Sequence, residues 1–192
     1  MATTYSYKNL FGNQITNNQV NNLKEYFKDI YIDGMLKKTE RIESSMVVHT
    51  YYYLNGTESI YDLLPLFRNK KVSFYNVSTI NNYKIEDIYA YDNGILVDRS
   101  KSIANVQDKI ICYQGIDIVT GLSINNDTRK YYYENNTLKY TFEYDENGDC
   151  FIIYDETDDQ KDIFAWEIGQ PDVSFTWQGF EYYEFAEPII PQ

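Results

Sequence analysis

The amino-acid sequence predicts an α+β domain that is predominantly antiparallel β, a hairpin-rich twisted meander with one N-terminal amphipathic helix and room for one or two short helices. Three observations lead there. Turn dipeptides with tyrosine just ahead of them recur along the chain, the segments between them alternate apolar and polar residues, and helix start signals are few. The 192 residues, 43% of them hydrophobic, are enough for a buried core, and the expected organisation is a single domain over 1–192 with an acidic portion at 143–192.

The strongest helix signal is "TNNQVNNLKEYFKDIYIDG". Thr16 stands at a capping position with Gln19 three residues on, Val20, Leu23, Phe27 and Ile30 form a stripe, and Asp33-Gly34 supplies a stop. A helix is therefore expected from about Asn17 to Tyr31. A shorter one is expected to start near Thr57 and carry Ile60, Leu63, Leu64 and Phe67, limited by Pro65.

The turn signal is an aromatic residue shortly before Asn or Asp followed by Gly or Asn: "YIDG" at Tyr31, "YLNG" at Tyr53, "YDNG" at Tyr91, "YENN" at Tyr133 and "YDENG" at Tyr144. These dipeptides tolerate the positive φ that two-residue hairpin turns require. The pattern resembles the tyrosine and Asp/Asn-Gly turns of YD and MORN-type repeats, but its irregular spacing gives no repeat array. In "TRKYYYENNTLKYTFEYDENGDCFIIYD", a turn at Asn135-Asn136 places Tyr133 opposite Leu138 and Tyr131 opposite Tyr140. One face then reads Tyr131, Tyr133, Leu138, Tyr140, Phe142 and Tyr144, and the polar face takes Lys130 and Tyr132. The third strand, with Phe151 and Ile153 on one side and Cys150, Ile152 and Tyr154 on the other, reads as covered on both faces. A last hairpin is expected across Gln178-Gly179, pairing Trp177 with Phe180 and Phe175 with Tyr182. "SKSIANVQDKIICYQGIDIVTG" fits either a short helix and a strand or two strands.

Catalytic constellations are sparse, and no enzyme is expected. His49, the single histidine, lies in an apparent strand with Val47, Tyr51 and Tyr53, where a structural sheet histidine is favoured over a general base. Cys112, in the apolar run "IICY", is placed where burial quenches a thiol. Cys112 and Cys150 are expected to be reduced and at least partly buried. Neither a zinc ligand set, an EF-hand, a phosphate loop nor a nucleophile elbow is present, and "DENGD" reads as a tight turn. Paired acids beside aromatic platforms would suit glycoside hydrolysis, but no motif singles out two of them. No cofactor or metal is expected.

Charge carries the functional expectation. Residues 1–96 hold ten basic and ten acidic side chains, whereas 97–192 hold seven basic and nineteen acidic, so the net charge of −12 belongs to the second half. Lys161 is the one cation from Glu143 to Gln192, against fourteen carboxylates. A basic stripe for phosphates is missing, which argues against direct nucleic-acid or anionic-membrane binding. With neither an apolar run of spanning length nor a signal-like start, a cytoplasmic protein is expected. The 21 tyrosines exceed what a core of this size readily hides, and an acidic field with exposed aromatics suits a protein-binding surface. The expected function is a non-enzymatic inhibitor of a basic protein, such as a toxin or nucleic-acid-binding enzyme, in the manner of a bacterial immunity protein, an antitoxin or a phage-encoded inhibitor. Asp155, Glu156, Asp158, Asp159 and Asp162 would supply the field and Tyr154, Trp166 and Trp177 the aromatic anchors. The alternative is a structural or carbohydrate-contacting β module of a phage or cell-surface assembly, in which the acid only solubilises.

Overall fold

The computed structural model describes residues 2–158 and 161–192. Strands dominate, joined in the order β13-β12-β11-β10-β9-β8-β7-β6-β5-β4-β3-β1-β2 in one mostly antiparallel sheet. In chain order these are β1 (Thr3–Lys8), β2 (Gln14–Ile15), β3 (Glu25–Ile32), β4 (Met35–Glu43), β5 (Met46–Tyr53), β6 (Lys71–Ile80), β7 (Tyr83–Asp92) and β8 (Ile95–Ala104). They continue with β9 (Ile110–Ile116), β10 (Ser123–Glu134), β11 (Thr137–Tyr144), β12 (Cys150–Asp155) and β13 (Ile163–Phe164). Sequence neighbours pair with one another from β3 onward, as a meander requires. Two compact units are distinguished: one runs through Val77 and takes in Asp87–Asp98, and the other comprises Ser78–Glu86 and Arg99–Gln192.

Hairpin turns form where two successive residues accept positive φ. Asp33-Gly34, Asn93-Gly94 and Asn135-Asn136 do so at the expected positions, and Asp145 to Asp149 make a longer turn closed by Gly148 at φ +91°. Ser44-Ser45 and Asn81-Asn82 turn in the same way without an aromatic-Asp/Asn-Gly signature. Asn55-Gly56 does not make a hairpin. There the chain leaves β5, passes through α1 (Ile60–Leu63) and a 3₁₀ turn at Leu64–Phe67, and returns as β6 parallel to β5, with Thr50 opposite Val72. The short helix and its truncation at Pro65 match the sequence reading. Its apolar residues cover the unit's core of Phe67, Val72 and Phe74, with Tyr52, Leu54 and Tyr91 packed around them.

The expected helix from Asn17 to Tyr31 is not formed. Thr16 and Gln19 do make the reciprocal cap, with Thr16 N–H donating to Gln19 Oε1 at 2.8 Å, but only one helical turn, Asn17–Val20, follows. From Glu25 the chain is β3, hydrogen-bonded to β1 on one side and β4 on the other. The reason is cooperative: an isolated helix of this length is marginal in water, whereas a strand flanked by two others satisfies its backbone on both edges.

In the second unit the Asn135-Asn136 turn sets Tyr133 opposite Leu138 as predicted, but a β-bulge follows. Tyr132, not Tyr131, faces Tyr140, and Lys139 is the extra residue. Lys130 and Tyr132 thereby share the face of Tyr140 and Phe142, while Tyr131, Tyr133 and Leu138 line a depression with Ile110 and Tyr113. A second bulge after Glu143 pairs Tyr144 with Cys150, so Cys150 and Ile153 both enter the core and Phe151 is left 37% exposed. Ile152 and Ile153 are both buried, in line with a strand covered on both faces. Full burial of Phe142 alone is worth roughly 1.5–3 kcal/mol relative to exposure.

No strands form across Gln178-Gly179. Phe180 and Tyr183 are held in successive tight turns, Phe180 N–H donating to the Trp177 carbonyl at 2.7 Å, with 3₁₀ geometry at Glu181–Tyr183. The aromatic alternation that suggested a hairpin instead sends Phe175, Trp177, Phe180 and Tyr183 onto the face of β10, β11 and β12. "SKSIANVQDKIICYQGIDIVTG" resolves as two strands, β8 and β9.

Candidate functional site

The acidic end of the second unit is organised by the stop of β12. Asp155 ends the strand, and its Oδ1 accepts from the Thr157 backbone N–H at 3.0 Å and from the Thr157 hydroxyl at 2.5 Å, an Asx turn that fixes the direction of exit. Thr141 on β11 donates to Glu156 Oε1 at 2.5 Å, and Glu156 N–H donates to the Lys139 carbonyl, so this turn is sewn to the neighbouring strand. Tyr154, Asp155, Glu156, Thr157, Asp158 and Asp162 together line an open depression of about 530 Å³. Asp155 and Asp162 also border a second one of about 370 Å³, which adds Glu167 and Asp172. Of the five carboxylates singled out in the sequence, Asp155, Glu156, Asp158 and Asp162 are brought together on this surface, and Asp159 lies outside the described residues.

Part of this charge is neutralised within the chain. Lys161 Nζ lies 2.6 Å from Asp158 Oδ2, which raises the lysine pKa. Arg129 Nε donates to Glu143 Oε1 at 2.7 Å, and the Tyr154 hydroxyl donates to Glu143 Oε2 at 3.3 Å. Burial first, then the nearby Glu143 and Asp162 carboxylates, push the Tyr154 phenol upward, keeping it a neutral donor.

The aromatic residues divide. Trp166 is 67% exposed and stacks on Phe164 of β13, with ring centroids 4.5 Å apart and planes within 20°. Phe164 N–H faces Glu167 Oε2 at 3.4 Å, tying this pair to an acid. Trp177 lies elsewhere, half-buried against Phe175 at 5.4 Å and Phe142 at 6.4 Å. Phe164 was missed by sequence reasoning, although the spacing in "IFAWE" could have paired it with Trp166.

The residues weighed for catalysis sit in structural settings. His49 Nε2 is 2.9 Å from Ser73 Oγ, its ring lies 4.5 Å from Tyr51, and burial with Lys71 and Arg41 nearby lowers its pKa. Both cysteines are free and buried, and burial pushes each thiol up to about 12. Asp145 Oδ1 accepts from the Asn147 and Asp149 backbone N–H groups, which is turn capping. Among the described residues no helix is long and apolar enough to cross a membrane. No protein-family model, curated protein or solved structure matches the chain.

Proposed function

We propose that the protein is an intracellular inhibitor that binds a basic protein through the acidic end of its second unit, as an immunity protein, antitoxin or phage-encoded inhibitor would. One observation carries this reading: Tyr154, Asp155, Glu156, Asp158 and Asp162 converge on one open depression, and Lys161, the nearby cation, is already tied to Asp158. A field of one sign accelerates encounter with a basic surface, and the exposed Phe164–Trp166 stack supplies broad apolar contact with little rotamer entropy to lose. The test is affinity capture from the host followed by kinetics. A basic protein should be recovered whose association slows as salt rises. The combination Asp155→Asn, Asp158→Lys and Asp162→Lys should slow association at least about tenfold while leaving dissociation less affected. Unchanged association and salt dependence in that variant would sink the proposal.

A further inference from the structure

A second concave site lies in the first unit, where the loop after β5 and α1 stand beside β6 and β7. Tyr61, Tyr89, Tyr91, Asn55, Asn76 and Glu58 are the chemistry-bearing members of its lining, and its volume is about 440 Å³. We propose that this is a binding site for a neutral saccharide.

The first argument is the kind of surface on offer. Tyr89 and Tyr91 are two apart on β7 and so share one face of the strand. Tyr91 is anchored by its edge contact with Phe74 at 5.9 Å, a fixed wall, whereas Tyr61 is 86% exposed on α1. Tyr61, Tyr89 and Tyr91 all line the depression, and burial, with the phenols of Tyr61 and Tyr89 nearby, raises the Tyr91 pKa and keeps it a neutral donor. Tyrosine offers an apolar ring face for the C–H side of a pyranose together with a hydroxyl for its rim.

The second argument is the polar set. Asn55 Oδ1 accepts from the Thr57 N–H and hydroxyl, which fixes the carboxamide, while its Nδ2 donates to nothing among the described residues. The Asn76 carboxamide likewise has no hydrogen bond among the described residues, although it stands on a regular strand. An amide presents a donor and an acceptor side by side, as a pair of neighbouring hydroxyls requires.

Third, the site is electrically satisfied. Glu58 is paired with Lys37 and accepts from the Tyr52 hydroxyl at 2.9 Å and the Asn55 N–H at 2.9 Å, and Lys37 also donates to the Tyr53 carbonyl at 3.1 Å. Those contacts hold the Glu58 pKa below its ordinary value, so the carboxylate is kept and its charge is matched by Lys37. Among the described residues lining the site, an anionic ligand finds no cation and a cationic one no uncommitted carboxylate. Pockets of this size lined by aromatics with a few fixed polar groups suit small polar-apolar ligands, and hydroxyl-rich, uncharged rings match this lining.

The test uses the full chain and three probes, cellohexaose, maltohexaose and chitohexaose, read by saturation-transfer NMR and calorimetry. At least one should bind with a dissociation constant in the millimolar range or below, insensitive to salt. Tyr61→Ala and Asn76→Ala, both at exposed positions, should each weaken binding about tenfold or more with an unchanged melting temperature. The variant carrying Asp158→Lys and Asp162→Lys should bind the sugar normally, which separates this site from the acidic one. Failure of all three hexasaccharides to bind, or binding indifferent to both substitutions, would overturn it.

Discussion

The ammonium of Lys130 lies 3.9 Å from the ring centroid of Tyr182 and donates to the Tyr182 carbonyl at 2.7 Å. Two further donations, to the Phe185 carbonyl at 2.7 Å and the Pro188 carbonyl at 2.8 Å, use all three of its hydrogens in a fully buried site. A single side chain on β10 thus gathers three carbonyls of the irregular C-terminal segment, which has no ladder of its own beyond a bridge at Phe185. Lys130→Met keeps the length of the side chain and removes every donor. Because orphaned buried acceptors cost about 1–3 kcal/mol each and relaxation recovers part of it, the variant should lose about 3 kcal/mol in urea unfolding. Protection of the Cys150 and Ala186 amides, which donate to Glu184 and Gly148 carbonyls, should fall in hydrogen exchange.

Alkaline pH should act on the same core in two opposed ways. Burial pulls Lys130 from its ordinary 10.5 down to about 8, so between those values the unfolded chain holds more protons and this residue's contribution to stability rises with pH. Cys112 and Cys150 go the other way, from 9.0 up to about 12, because burial disfavours the thiolate. Their contribution is complete below about 9 and is lost as pH climbs toward 12. Burial also raises the phenols of Tyr144, Tyr182 and Tyr183 above their ordinary 10.0, which adds to the loss beyond pH 10. Unfolding free energy should therefore hold nearly level from pH 8 to 9 and then fall. In Lys130→Met the decline should be steeper from pH 8 onward, as measured by urea titrations at half-unit pH steps.

Residue chemistry made hairpins legible where an aromatic residue shortly precedes Asp or Asn followed by Gly or Asn, as at Asp33-Gly34 and Asn135-Asn136, but not at Asn81-Asn82 or Ser44-Ser45, which turn without that signature. The same chemistry misled at Asn55-Gly56, since a turn dipeptide does not say whether the next strand returns antiparallel or crosses over. The helix over Asn17–Tyr31 failed because a 3.6-residue stripe and a strand of aromatic and β-branched residues coincide in "LKEYFKDIYI". Lys130 was placed on the polar face because alternation is read outward from a turn, and a bulge shifts every later position by one. The acidic depression was partly visible as a run of carboxylates, but its surroundings were not: Glu167 and Asp172 line a neighbouring depression that shares Asp155 and Asp162, and Trp177 packs in the core.

The bulge at Lys139 can be tested by removing it. Deleting Lys139 would restore unbroken pairing from Asn135-Asn136 with Tyr132 still opposite the residue now numbered Tyr140. Lys130 and Tyr132 would therefore keep the face of Phe142 and Tyr183, and the Lys139 carbonyl that accepts from Glu156 N–H would be lost. We expect the deletion to keep cooperative unfolding of the second unit and to lose no more than about 2 kcal/mol in urea unfolding, and a larger loss would show that the bulge itself is required. Lys139→Ala, which keeps the residue count, should stay within about 1 kcal/mol of the parent, because the exposed pair of Lys139 with Glu134 at 3.0 Å contributes little.

Asp29 in β3 gives the first unit a comparable buried charge with the opposite sign. Its carboxylate is fully buried, lies 2.6 Å from Lys8 Nζ, and accepts from the Thr39 hydroxyl at 2.7 Å and the Ser6 hydroxyl at 3.4 Å. The contact with Asp29 raises the Lys8 pKa, so the Lys8 ammonium is held against it. Removing only Lys8 leaves a carboxylate without its counter-ion, and Lys8→Met should cost about 3 kcal/mol, well beyond an ordinary surface ion pair. Asp29→Leu alone strands the Thr39 hydroxyl and should cost about as much. The double variant, however, replaces both charges by apolar groups of similar volume, and its loss should be smaller than the sum of the two by 1 kcal/mol or more, on the order seen for coupled neighbours. A double-mutant cycle by urea unfolding measures this directly, and strict additivity would show that Lys8 and Asp29 are stabilised independently of each other.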